Sequence, residues 1–249
     1  MTFLCDCDKM IAIYRNCMKG SIMRFIFVRH GHPDYENDCL TELGHRHAEQ
    51  AAVRLRNEGV DEIFSSPYGR ALETAEHTAQ LISKKVNVLD FMHEIKWGAV
   101  DGSELIKDGH PWDTSLYAVS QGFSLMQEEW TKREPFCGNI VFDEIKRVAE
   151  QSDIWLEGLG YRREGANYRV VSDNTDRTIA LFSHGGSSSA LFSHMLNLPF
   201  FYLCRTLCPD FTAITILSLS DEKDTLTAPT IEIANDSRHI KASGISYCM

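Results

Sequence analysis

Between Arg24 and Leu89 the chain alternates short, apolar, β-prone runs with stretches whose alanines and leucines recur at helical spacing, and that alternation confines it to an α/β fold. Arg24-Phe-Ile-Phe-Val28 reads as a buried strand. Thr41 can cap a helix running to about Glu58, with Ala48, Ala51, Ala52 and Leu55 on one face and Gly59 as its stop. A strand around Ile63-Phe64-Ser65 follows. Ser66-Pro67 then reads as an N-cap and first-turn proline, opening a helix whose apolar stripe is Ala71, Leu72, Ala75, Ala79 and Ile82. A strand near Val86 to Leu89 completes a βαβαβ run. The pattern resumes with a strand at Thr178 to Phe182, a helix from about Ser187 to Leu196 and a β-rich segment from Thr212 to Leu219. The expected architecture has three layers, a largely parallel sheet with helices on both faces.

The less regular stretch, about 103–177, reads as an inserted cap. It holds Trp112, Trp130 and Trp155, a short amphipathic piece from Val141 to Ala149, and polar breaks around Glu157-Gly158 and Asp173-Asn174. With 249 residues the expectation is one domain over 23–249 carrying this cap. Residues 1–22 precede the first strand and read as an extension that carries no site motif. Lysine and arginine number 25 against 35 acidic residues, a formal charge of −10, which disfavours nucleic acid and anionic membranes as partners. Any anion must therefore be held by a local basic pocket. The eight cysteines form no CxxC pair and read as reduced thiols, with Cys204 and Cys208 expected in the core. No apolar run reaches the roughly 18 residues of a spanning helix. Asp6, Asp8, Lys9 and Arg15 interrupt any signal-peptide core, so a cytoplasmic protein is expected.

Ligands of a doubly wound sheet sit beyond the carboxyl ends of its strands. The residues expected there are Arg29, His30, Arg70, Glu94 and His184, and His184-Gly185-Gly186 leads into a helix whose N–H groups would add to the positive field. Two arginines and two histidines with one carboxylate suit phosphoryl transfer. His30 would attack, while Arg29, Arg70 and His184 would hold the equatorial oxygens. Glu94 would protonate the leaving oxygen and then activate water. Glu104 and Glu42 compete for the acid role. His45, His47, His77 and His194 lie on helices or their caps and read as packing or surface groups.

The order Arg29-His30-Gly31, Ser65-Ser66-Pro67-Tyr68-Gly69-Arg70-Ala71, His93-Glu94 through Trp97-Gly98, and Ser183-His184-Gly185-Gly186 resembles the histidine phosphatase superfamily, which includes phosphoglycerate mutases. The resemblance implies a phosphoglycerate mutase-like fold, a phosphohistidine on His30, His184 and Gly185 at the phosphate, and Asn37 in the place of a phosphate-contacting asparagine. It implies no metal and no cofactor. The late segment Asn235 to His239 is also similar to one near the end of the family fold. His32 stands where many members carry glutamate, and the run Ile95 to Gly102 departs from that of the mutase branch. Hydrolysis of a small phosphorylated substrate is therefore expected ahead of mutase transfer. An alternative of another class is an H-x-H-x-D metallohydrolase built on His30, His32 and Asp34, though Tyr35 stands where a further histidine is expected. A noncatalytic phospholigand-binding module is a third. Substrate identity and oligomeric state are not readable from the residues.

Overall fold

The computed structural model describes residues 22–173 and 176–244. The chain opens with β1 (Ile22–Arg29), a small hairpin of β2 (Pro33–Asp34) and β3 (Cys39–Leu40), and α1 (Glu42–Leu55). Then come β4 (Glu62–Ser65), α2 (Gly69–Ile82) and β5 (Val86–Val88). After two 3-10 turns the chain forms α3 (Pro111–Ser120), α4 (Val141–Gly158) and the hairpin β6 (Tyr161–Glu164) and β7 (Asn167–Val170). It finishes with β8 (Thr178–Ser183), α5 (Gly185–Leu196), α6 (Phe200–Thr206), β9 (Ile214–Ser220), β10 (Leu226–Thr227), β11 (Thr230–Asp236) and α7 (Arg238–Ala242).

Six strands form the central sheet in the order β11-β9-β1-β8-β4-β5. The strands β1, β8, β4 and β5 pair in parallel, while β9 is antiparallel to both β1 and β11. Side chains alternate across a strand, so β1 supplies both faces of the sheet. Phe25 and Phe27 join Leu181, Leu217 and residues of α4, α5 and α6 in one core. Ile26 and Val28 join Phe182, Ile216, Leu55 of α1 and Ala75 and Ala79 of α2 in the other. A run apolar at every position, Phe25 to Val28, is what a strand buried on both faces demands.

Connectivity creates the crevice. From β1 the chain crosses to β4 on one side, whereas from β8 it continues to β9 on the other, so the adjacent β1 and β8 part company at their carboxyl ends. His30 and His184 are the first residues past those ends, and His30 N donates to Ser183 O across the pair at 2.9 Å.

Several local expectations are corrected. Ile22, placed in the extension, is the first residue of β1 and pairs with Ser220; residues 1–21 lie outside the described residues. Thr41 caps α1 as expected, its Oγ1 accepting from Gly44 N at 3.1 Å, but the helix ends at Leu55 rather than Glu58. Helix α2 starts at Gly69 with Tyr68 as N-cap, not at Ser66-Pro67, and the Ser66 hydroxyl both accepts from Tyr68 N at 3.3 Å and bonds His184 Nε2 at 2.7 Å. In the stretch 103–177, the amphipathic piece from Val141 is an 18-residue helix that runs through Glu157-Gly158 and packs on the sheet, with Trp155 edge-on to Phe25 and Phe64. Trp130 packs against Phe136 and Phe201, leaving Trp112 as the one tryptophan of the three that lines the site cavity. Asn174, in the last of the polar breaks, lies outside the described residues.

Candidate active site

His30 is buried, and its Nδ1–H donates to the carbonyl of Gly31 at 2.7 Å, which leaves Nε2 without a proton. The turn behind it is tight. Gly31 N donates to Thr74 Oγ1 at 3.0 Å, and a Cβ on Gly31 would stand 2.6 Å from Gly44 O. Burial, then the charge of Arg29, holds the His30 pKa well below 6.5, so the ring is neutral.

His184 lies beside it, ring centroids 5.2 Å apart. Ser66 Oγ accepts from Tyr68 N at 3.3 Å and shares a hydrogen bond with His184 Nε2 at 2.7 Å, which fixes the imidazole ring. The Nδ1 of that ring is buried and meets no protein partner. Burial and then His30 depress the His184 pKa well below 6.5.

The two arginines are fixed from behind. Arg29 Nη1 donates to Pro209 O at 2.6 Å, and its guanidinium lies 4.5 Å from the centroid of Phe211. Arg70 pairs with Asp38, whose other oxygen accepts from Gly69 N at 2.8 Å, and its guanidinium packs over Tyr68 and Tyr35. In both arginines Nε is buried without a partner. Buried N–H groups are almost always matched in folded proteins. Two such donors on permanent cations whose charges act on His30, with the unpartnered Nδ1 of His184, suit an anion beside His30.

Glu94 follows the 3-10 turn Asp90–Met92 rather than a strand directly, and it reaches the N-terminus of α5. Its carboxylate accepts from Ser187 N at 2.9 Å, Ile95 N at 3.0 Å and Gly186 N at 3.4 Å. Burial raises its pKa above 4.5 despite these donors. A Cβ on Gly186 would stand 2.6 Å from Glu94 Oε1, so this approach needs glycine.

Arg29, Glu94 and Gly185 line a cavity of about 330 Å³ with Tyr35, Trp97, His110, Trp112 and the segment Cys208 to Phe211. Asn37 is not brought in; it is exposed and donates to Asp34 Oδ2 at 2.9 Å. Neither Glu42 nor Glu104 lines this cavity, and both are exposed. Cys204 is core, as expected, but Cys208 is exposed at the cavity wall. His45 bonds His77 at 3.1 Å, His194 bonds Asp153 at 2.8 Å, and His47 is buried against Phe211. The H-x-H-x-D side chains diverge, His32 to Thr41 Oγ1 and Asp34 to Asn37. Among the described residues no group of three or more His, Cys, Asp or Glu is placed to hold a metal ion. Sequence reasoning missed Asp38, which pairs with Arg70, Phe211, which packs on Arg29, and His110, which lies between Trp97 and Trp112.

Residues 25–129 match the family model described as the histidine phosphatase superfamily, branch 1. The chain is 29% identical over 187 residues to a probable phosphoglycerate mutase of Proteus mirabilis, an alignment covering 72% of this chain and 77% of that protein. It is 34% identical over 87 residues to a 2,3-bisphosphoglycerate-dependent phosphoglycerate mutase of Thermoplasma acidophilum, spanning 31% of this chain and less than half, 44%, of that relative. Its fold is similar to a mycobacterial glucosyl-3-phosphoglycerate phosphatase (TM-score 0.57, 24% identity, 86% of this chain and 99% of that one). The same holds for an Entamoeba histolytica phosphoserine phosphatase (TM-score 0.58, 19% identity, 87% and 98%). The histidine phosphatase superfamily match runs from β1 through the Glu94 turn, and the fold of the chain is similar to that of these phosphatases.

Proposed function

We propose that the protein is a phosphomonoester hydrolase that passes the phosphoryl group through His30. The observation carrying this reading is a neutral buried imidazole with Nε2 free, set beside the buried Nε–H groups of Arg29 and Arg70 that meet no protein acceptor. In the first step Nε2 attacks phosphorus, the N–P bond forms as the P–O bond breaks, and Glu94 gives its proton to the departing oxygen. Arg29, Arg70 and His184 take up the charge on the equatorial oxygens. In the second step water attacks the phosphohistidine, Glu94 accepts the water proton and His30 departs. The raised Glu94 pKa supports the first role, and its three backbone donors support the carboxylate needed for the second.

Rapid quenching of turnover on a phosphorus-labelled ester should trap label on His30, in a linkage labile to acid and stable to alkali. His30→Ala should abolish it, whereas His184→Ala should weaken it. Label on another residue, or wild-type turnover in His30→Ala, would remove the mechanism. Since the chain's own cations supply the charge that a metal would, activity should persist in EDTA. Loss restored by zinc, manganese or iron would favour the metallohydrolase. A mutase-type transfer shares the first step and differs in the acceptor; the likeness to relatives described as phosphoglycerate mutases favours it. Release of inorganic phosphate in place of an isomerised ester separates the two.

A further inference from the structure

The wall of the cavity beyond the phosphate donors has a particular chemistry. Trp97 meets His110 edge-on, ring centroids 4.9 Å apart, and His110 lies 5.6 Å from Trp112. Trp112 in turn packs on the start of α5, its Cζ2 3.4 Å from where a Cβ on Gly185 would stand. A continuous run of rings thus leads from the residue after His184 to the mouth, where Trp97 remains 40% exposed. Among the described residues lining the cavity, Arg29 is the one permanent cation, and Glu94 and Asp210 are carboxylates. His110 is paired with Asp113 at 2.9 Å.

A substrate with a second anionic group, such as a carboxylate or another phosphate, would find among these lining residues no permanent cation beyond Arg29, which the phosphate would engage. Asp210 already accepts from Ser237 Oγ at 2.6 Å and pairs with Lys241 at 3.5 Å. Flat apolar rings are what this wall can receive, by stacking and by covering exposed indole. We propose that the leaving group of the substrate is an uncharged alcohol bearing a planar ring, seated against Trp97, His110 and Trp112. This inference rests on the hydrolase reading above.

Three esters of similar intrinsic reactivity test it: 2-phenylethyl phosphate, n-butyl phosphate and 3-phosphoglycerate, all primary alkyl phosphomonoesters. For the wild type, kcat/KM should be at least tenfold higher for the phenylethyl than for the butyl ester, and at least a hundredfold higher than for 3-phosphoglycerate. Trp97→Ala, at a half-exposed position, should cut the phenylethyl-to-butyl ratio by fivefold or more. Trp112→Leu, which keeps an apolar contact to Gly185, should do the same. A ratio unchanged in both variants, or 3-phosphoglycerate turned over as fast as the phenylethyl ester, would overturn the proposal. Should the wild type hydrolyse none of the three, the hydrolase reading fails. Calorimetric binding then decides the subsite: 3-phenylpropylphosphonate at least tenfold tighter than 3-phosphoglycerate supports it, and equal or weaker binding overturns it.

Discussion

His30 and Glu94 are tuned by the same burial in ways that suit opposite tasks. Loss of water disfavours the charged form of each, so the imidazole stays neutral below pH 6.5 and the carboxyl holds its proton above 4.5. Hydrolysis of an alkyl phosphate, whose leaving oxygen needs a proton, should therefore fall as pH rises through the Glu94 pKa. Glu94→Gln should erase that limb and lower kcat/KM for alkyl esters by roughly 10²–10⁴. The loss on p-nitrophenyl phosphate, which departs as an anion, should be far smaller; equal losses would remove Glu94 as the proton donor. The placement of Arg29, His30, Arg70, Glu94 and His184 at the ends of regular elements could be read from the chain because each follows or opens one. Asn37 misled because it satisfies itself on Asp34, three residues away, and Asp38 was missed because its value lies in Arg70, 32 residues on.

The start of α5 is the element on which the site turns. Gly186 lets Glu94 and Ile95 approach the helix start, and the free N–H groups of the first turn receive the carboxylate. Gly186→Ala would place a methyl 2.4 Å from Ile95 Cγ1 and 2.6 Å from Glu94 Oε1. Overpacking of this kind costs about 1–3 kcal/mol. We expect a folded protein, less stable by that amount in urea titration, with alkyl-ester kcat reduced at least tenfold; an unchanged kcat would show that Glu94 does not depend on this helix end. Strand and helix types were legible from periodicity, while the start of α2 was not. Ser66-Pro67 has the local chemistry of a cap, but the turn it closes on Tyr68 N precedes the helix, and its hydroxyl also bonds a histidine 118 residues away.

Over the whole molecule, burying neutral histidines links stability to pH. His30 and His184 have folded pKa values well below 6.5, and burial lowers His239 to about 4. Below pH 6.5 the unfolded chain binds protons that the native state refuses, so stability falls as pH drops. Asp236, held at about 2 by Arg238, loses its contribution only at lower pH, and the raised Glu94 pKa opposes the trend with a single group. The Tm should thus decline from pH 7 to pH 5. In His239→Gln the decline should be shallower, and an identical slope would exclude that residue as a source.

The sequence by itself determined the α/β class, the strands that run apolar on both faces, and the charged residues placed at strand ends, because periodicity and strand-end chemistry are local properties of the chain. Tertiary structure alone decided which of those residues share a cavity and what surrounds them. Tyr35, Trp97, the pair His110 and Trp112, and Phe211 come from four separate stretches of the chain. They meet because β1 and β8 send the chain in opposite directions, opening one crevice that loops from every part of the fold can reach.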